Sequence, residues 1–156
     1  MRILSALAML AIFTNTTAQA PPTRTVVVIG SAPQSEFEKQ VMAALQARIS
    51  ATTRYILGSK PDAELEVSVV CIDISQVTRN MKGGICSYHF IYWPKQMPGL
   101  SSELGVPFIM SQSEAADIGE DIFEELVNAS TEKKLASYLS EMKEAIRVYE
   151  AESKHR

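Results

Sequence analysis

The feature that most constrains the fold is a pair of alternating segments, 64–75 and 85–93, which carry the only two cysteines of the chain. From Leu65 to Cys71 and from Cys86 to Tyr92 every second residue is apolar or aromatic, the pattern of a β-strand with one buried face. If Cys71 lies opposite Cys86 in an antiparallel hairpin, one face is entirely apolar, with the pairs Val69–Tyr88, Val67–Phe90 and Leu65–Tyr92. A slip of one residue would set apolar against polar side chains, so the pattern and the cysteines predict the same register.

The N-terminus indicates export. Met1-Arg2 is followed by the apolar run 3–13 and a small polar stretch, 14–20, which is typical of a cleavable signal peptide. We favour cleavage after Ala18; Ala20 is the alternative, but it would leave Pro21 as the first residue, with no N–H and a fixed φ. In an oxidising compartment the two cysteines are expected to form a structural disulfide.

The chain divides into four expected regions: a signal peptide (1–18), a flexible segment (19–24), a single domain (25–150) and a charged tail (151–156). Apolar residues make up 46% of the chain, enough to form a hydrophobic core in one domain of this size. The β-branched run 25–29, a short strand at 54–57 and the hairpin predict an α+β fold. We expect a small mixed sheet in the order β-α-β-β-β, a possible fifth short strand at 106–110, and two C-terminal helices.

Three helices follow from capping patterns and apolar spacing. Ser35-x-x-Glu38 predicts a capping box that starts a helix ending near Ile49, and Ser111-x-x-Glu114 predicts a second that starts a helix ending near Asn128. Thr131 is the expected N-cap of a third helix. That helix carries an apolar seam: Leu135, Leu139, Met142, Ile146 and Tyr149. We expect the seam to dock on the sheet or on the previous helix, with a coiled-coil dimer as the alternative.

His89 is the only histidine in the expected domain, and the hairpin register sets Ser68 opposite it and Glu66 diagonal to it. These three residues are the candidates for a hydrolytic constellation of the Ser-His-acid type. No Gly-x-Ser-x-Gly turn is present to expose the serine, and a partly exposed surface histidine is the simpler interpretation. We expect no metal site, because no second ligand accompanies His89 at metal spacing.

Other chemical patterns are weaker. The Gly30-Ser31 turn between a strand and a helix could bind an anion, but it lacks a nucleotide-binding motif, so no cofactor is expected. The acidic positions between Asp117 and Glu125 are interpreted as a solvated helix face. With a net charge of −3 and lysines and arginines scattered among glutamates, the chain is not expected to bind nucleic acid.

The surface most suited to a partner is the outer hairpin face with the loop beyond it. Its candidate contact residues are His89, Ile91, Trp93, Lys95, Met97 and Leu100. A tryptophan beside apolar and charged residues is a composition enriched at contacts; alternatively, the last two helices cover this face. The leading hypothesis is a non-catalytic secreted or periplasmic protein that binds a protein or envelope component. A small secreted hydrolase using His89 is the alternative, and the oligomeric state stays open.

Overall fold

The computed structural model describes residues 23–32, 34–78, 82–105 and 108–154, the side chains of 108–112 excepted. The expected signal peptide and both of its cleavage sites lie outside these residues. The described chain forms six strands and three helices: β1 Arg24–Ile29, α1 Glu36–Ser50, β2 Tyr55–Leu57, β3 Leu65–Asp73, β4 Gly84–Tyr92, β5 Ser102–Glu103, β6 Phe108–Ser113, α2 Ala115–Ala129 and α3 Glu132–Ser153. The expected α+β class, with two C-terminal helices, is confirmed.

The strands form one mixed sheet in the order β2-β1-β3-β4, with β5 and β6 both paired to the other edge of β4. β1 is parallel to β2, because α1 returns the chain after β1, and β3 continues in the direction of β2 along the other edge of β1. The remaining pairs are antiparallel. The fifth strand expected at 106–110 is present as β6, which begins at Phe108 and runs on to Ser113, whereas the two-residue β5 was not predicted.

The register of the central hairpin is confirmed along its whole length. Cys71 pairs with Cys86, and the three apolar pairs lie opposite each other as expected. The two cysteines form a disulfide, with 4.1 Å between their Cα atoms. The bond joins the two central strands on the face that is covered by helices, so it belongs to the core.

Helices α1 and α2 cover only one face of the sheet, which we call the inner face. The buried core consists of alternate residues from β1, β3 and β4 together with apolar residues of both helices, among them Leu45, Ile118 and Leu126. On the opposite, outer face, Val70, Ile72 and Ile85 remain exposed. The described residues therefore form two layers, and no helix among them covers the outer face of the sheet.

The first capping box is half correct. Ser35 accepts a hydrogen bond from the Glu38 N–H at 3.0 Å, as predicted. The Glu38 carboxylate does not accept the second hydrogen bond of a capping box, from the backbone N–H of Ser35. It accepts instead from the backbone N–H of Ser31 at 2.6 Å and of Cys71 at 2.9 Å. Since β1 pairs with β3 only as far as Ser68, the Cys71 N–H lies beyond the end of β1, and the carboxylate serves as its acceptor.

The second capping box is wrong. Ser111 lies within β6, and α2 begins at Ala115, with Glu114 in the N-cap position and no side-chain cap hydrogen bond. The reason is the sheet: β6 pairs with β4 as far as Ser113, which keeps this segment extended. Backbone pairing therefore overrides the local helix-start signal.

Helix α3 starts after Thr131, as expected, and continues to Ser153, three residues into the expected tail. Leu135 is its only buried residue. The prediction that the seam docks on the rest of the domain is therefore correct only for the first turn of the helix. Leu139, Met142 and Ile146 are partly exposed, and Tyr149 is 74% exposed. In the described residues no helix combines the length and apolar character that a membrane crossing requires.

Candidate functional site

Two loops at one end of the sheet enclose an open groove of about 430 Å³. One wall is the 3₁₀ turn Lys60–Asp62 with Ala63, which precedes β3, and the other is the loop 93–100, which follows β4. Thr25 of β1 completes the lining. The antiparallel pairing of β3 with β4 brings the two loops to the same end of the sheet. We call this cavity the Trp93 groove.

The backbone of both walls is restricted by the local sequence. Pro61, Pro94 and Pro98 fix φ at three positions of the groove. In the second wall, the Met97 N–H donates to the Pro94 carbonyl at 3.0 Å, and the Leu100 N–H donates to the Met97 carbonyl at 3.2 Å. Two successive turns therefore hold the apolar side chains of this loop in a defined arrangement.

Four of the six predicted contact residues line the groove: Trp93, Lys95, Met97 and Leu100. Trp93 and Met97 are half-buried, and Leu100 is 40% exposed. The other two, His89 and Ile91, are half-buried on the outer face of β4 and do not line the groove. The C-terminal helices do not cover this face, since α2 packs on the inner face and α3 is buried only at Leu135.

Each lysine of the groove is matched by a buried carboxylate. Lys95 Nζ lies 3.6 Å from Glu64 Oε2, and Lys60 Nζ lies 3.5 Å from Glu66 Oε2. Among the described residues, Glu66 Oε2 has no hydrogen-bond donor, so the ion pair with Lys60 is its electrostatic partner. The groove therefore offers a partner apolar side chains beside two lysines whose charges are already paired.

Glu64 also belongs to a buried ionic cluster behind the groove. Arg24 contacts Glu64 and donates from Nη2 to Glu132 Oε2 at 2.7 Å, which links β1, the start of β3 and the first turn of α3. Burial acts to lower the pKa of Arg24, but its hydrogen bond with Glu132 and the charges of both glutamates outweigh burial and raise that pKa. The cluster therefore anchors the strand ends from which the groove is built.

His89, Ser68 and Glu66 share the outer face, with Ser68 directly opposite His89. The Ser68 hydroxyl donates to Glu66 Oε1 at 3.4 Å, and no hydrogen bond within the described part of the chain reaches the His89 side chain. Ser68 lies in the middle of a regular strand, with no turn to expose its hydroxyl. The three candidate hydrolytic residues are thus neighbours that are not connected as nucleophile, base and orienting acid.

A second cavity, of about 390 Å³, lies on the other side of β4, between the Leu104–Gly105 turn and the two C-terminal helices. Its lining includes Tyr88, the candidate residue His89 and, from the acidic run that we interpreted as a solvated helix face, Asp121 and Glu125. Burial, followed by the charges of Glu125 and Asp121, raises the pKa of Tyr88 to about 12. Within the described residues, no three His, Cys, Asp or Glu side chains are placed to hold a metal ion.

The Gly30–Ser31 turn already binds an anionic group from its own chain. The Ser31 hydroxyl donates to both oxygens of the buried Glu38 carboxylate, at 3.0 and 2.9 Å, in addition to the backbone bond described above. A Cβ on Gly30 would lie 2.6 Å from Glu38 Oε1, so glycine allows this close approach. The position that an external phosphate would use is occupied by Glu38.

The first wall of the groove was not predicted from sequence. The sequence Lys60-Pro61-Asp62 predicts a turn, but only the pairing of β3 with β4 in the folded chain places that turn beside Trp93. The signal that could have found it is the pair Glu64 and Glu66, two acidic residues at the start of a strand with a buried face, which need nearby cations.

No protein-family model matches the chain, and no curated protein is similar to it. The function is therefore inferred from the residues and geometry described above.

Proposed function

We propose that this chain is a non-catalytic binding protein that works outside the cytoplasm and contacts a protein or envelope component through the Trp93 groove. The observation that carries the proposal is the groove itself, in which a half-buried indole and two further apolar side chains surround an open cavity of about 430 Å³. Tryptophan is enriched at the energetic centres of interfaces because it combines a large apolar surface with few rotatable bonds.

The groove fits an apolar side chain of the partner better than a charged one. Lys60 and Lys95 are ion-paired with Glu66 and Glu64, so a partner carboxylate would have to compete with groups already in place. We expect the affinity to change little with salt, because exposed, already paired charges contribute little to binding.

The extracytoplasmic location is supported by the disulfide between Cys71 and Cys86. Such bonds persist in oxidising compartments and are rare in the cytosol. Together with the signal-peptide pattern of residues 1–20, this favours export by a cleaved leader.

The test is affinity capture from the source cell envelope with the mature chain, residues 19–156, as wild type and as Trp93→Ala. Tyr149→Ala is the matched control, since it removes an exposed aromatic residue far along α3. The wild type and the control should retain a partner that Trp93→Ala loses by at least tenfold. Leu100→Asp, at an exposed position, gives the same test if Trp93→Ala is unstable. A partner retained equally by both groove variants would contradict the proposal.

A small secreted hydrolase is the alternative function, and the observation that favours it is the clustering of His89, Ser68 and Glu66 on one face. It predicts hydrolysis of a model ester by the mature chain, with activity lost in His89→Ala. Full biological activity in His89→Ala would end this alternative.

A further inference from the structure

The cavity of about 390 Å³ beside β4, which we call the Tyr88 cavity, has no part in the proposed function. It lies between β4, the turn at Leu104 and Gly105, and the helices α2 and α3. No described residue lines both this cavity and the Trp93 groove. Its volume is within the range of about 300–1,000 Å³ that small-molecule sites occupy.

The walls of the cavity are apolar and aromatic. Tyr88 and Phe90 are neighbours on the inner face of β4, with 5.4 Å between their ring centroids. Both rings and Leu104 are buried to at least nine-tenths. Tyr138 of α3 adds a third ring, which is partly buried against the same core. An occupant of the cavity therefore meets three aromatic rings and one aliphatic side chain.

The rim of the cavity is anionic. Asp121, Glu124 and Glu125 of α2 all line it. Lys134, near the start of α3, is the one cationic side chain among its described lining residues. Within the described part of the chain, none of these four residues forms a salt bridge. The unpaired carboxylates outnumber the lysine, so the electrostatic potential of the cavity is negative.

Helix geometry brings the three carboxylates together. Positions 121, 124 and 125 are three and four residues apart, so these side chains share one face of α2, with about 5–6 Å between Cβ atoms one turn apart. Like charges at this spacing repel each other and destabilise a helix. Glu120, on the same helix, is instead paired with Arg48. A cation in the cavity would relieve the repulsion at the rim.

The ionisation of Tyr88 responds to the same potential. Burial, followed by the charges of Glu125 and Asp121, raises the pKa of Tyr88 to about 12. Both carboxylates are therefore close enough to the buried phenol to disfavour its anion, although they belong to a different element. A cation between them would contact the rings and the carboxylates at once.

We propose that the Tyr88 cavity binds a small aliphatic amine that carries two or more ammonium groups. Two such groups would pair with carboxylates one helical turn apart on α2, and the methylene chain between them would pack on the rings of Tyr88 and Tyr138. Ammonium ions are also attracted to the faces of aromatic rings. Their hydrogen bonds to carboxylates are stronger than those between neutral groups.

Other ligand classes fit this cavity less well. Among the residues that the structure describes, no three His, Cys, Asp or Glu side chains could hold a metal ion. The carboxylates of the rim are therefore suited to a cation larger than a metal. An anion would be repelled by three like charges, and a neutral ligand would leave the carboxylates unpaired.

The test is a titration of nitrogen-15-labelled residues 19–156, followed by NMR chemical shifts. The three probes are hexane-1,6-diamine, hexane-1,6-diol and adipate, which share a six-carbon chain and differ in their end groups. We expect the diamine to bind at least tenfold more tightly than the diol, more weakly as salt is added, and adipate not to bind. The largest shifts should be at the amides of 88–90 and 121–138.

Four variants test the site itself. Asp121→Asn and Glu125→Gln should each weaken binding of the diamine roughly tenfold, because each removes one charge and keeps the shape of the side chain. Lys134→Gln should tighten binding, because it removes the competing cation. Glu120→Gln is the matched control: it removes a negative charge from the same helix at a position that does not line the cavity, so the affinity should not change.

The opposite results overturn the proposal. An absence of shifts with the diamine excludes the site, and equal affinity for the diamine and the diol excludes recognition by charge. Equal losses in Glu120→Gln and Glu125→Gln would mean that the amine responds only to the negative charge of the whole protein. Shifts centred on the Trp93 groove would place the amine elsewhere. The capture experiment with Trp93→Ala is unaffected by any of these results, so the two proposals fail separately.

Discussion

The two faces of the sheet have similar residues in opposite environments. Val67 and Val69 are fully buried beneath α1 and α2, whereas Val70 and Ile72, which alternate with them on β3, are exposed. Burial of such a side chain contributes about 1.5–3 kcal/mol to folding. The inner face therefore stabilises the chain, whereas Val70 and Ile72 on the outer face gain no such burial from the described residues.

Loss of the disulfide should give the largest effect, because it joins the two strands from which both faces are built. We expect Cys71→Ser/Cys86→Ser to reduce the free energy of unfolding by about 3 kcal/mol, the loop-entropy value for about 15 residues. Urea unfolding measures this, with the wild type in reductant as a second route to the same state. An unchanged midpoint would mean that the register is held without the bond.

Alkaline pH should also reduce the stability that the inner face gives to the fold. The pKa of Tyr88 is raised to about 12 from an ordinary value of about 10. The stability associated with its neutral form is fully present below pH 10 and is lost as the pH rises through 12. The loss should be on the order of 2–3 kcal/mol. Urea unfolding at a series of alkaline pH values checks this: Tyr88→Phe should weaken the pH dependence of the free energy of unfolding, and Tyr149→Phe should not.

The sequence predicted those features that depend on alternation and failed where tertiary contacts decide. The β3–β4 register and the disulfide follow from local pattern. Glu38 shows what the sequence could not predict. Its spacing from Ser35 predicts the helix N-cap, but the hydrogen bond from the Cys71 N–H to the Glu38 carboxylate depends on where β1 ends beside β3. The α3 seam is likewise visible in the spacing, yet spacing does not show that Leu135 alone becomes buried.

Of the candidate site, likewise, one wall could be predicted from the sequence and the other could not. Trp93, Met97 and Leu100 follow one another closely in the chain, so sequence reasoning could group them. The opposite wall at Lys60 and Pro61 is more than 30 residues distant and enters the groove only through strand pairing.

Glu38 tests whether a buried polar group can stabilise the inner layer. We expect Glu38→Ala to lower the free energy of unfolding by about 2 kcal/mol, because it leaves the N–H groups of Ser31 and Cys71 without their acceptor. Glu36→Ala is the matched control, an exposed glutamate in the same helical turn. Equal losses in the two variants would show that the effect is a general one of charge at the helix start.

The most direct test of the difference between the two faces compares neighbouring valines, Val69 fully buried and Val70 51% exposed. Threonine at each position keeps the β-branched shape and adds one hydroxyl. Val69→Thr should lower the free energy of urea unfolding by about 2 kcal/mol, the cost of burying a hydroxyl, and Val70→Thr should lower it by less than about 0.5 kcal/mol. Equal losses at the two positions would contradict the account, because they would mean that the outer face is covered within the single chain.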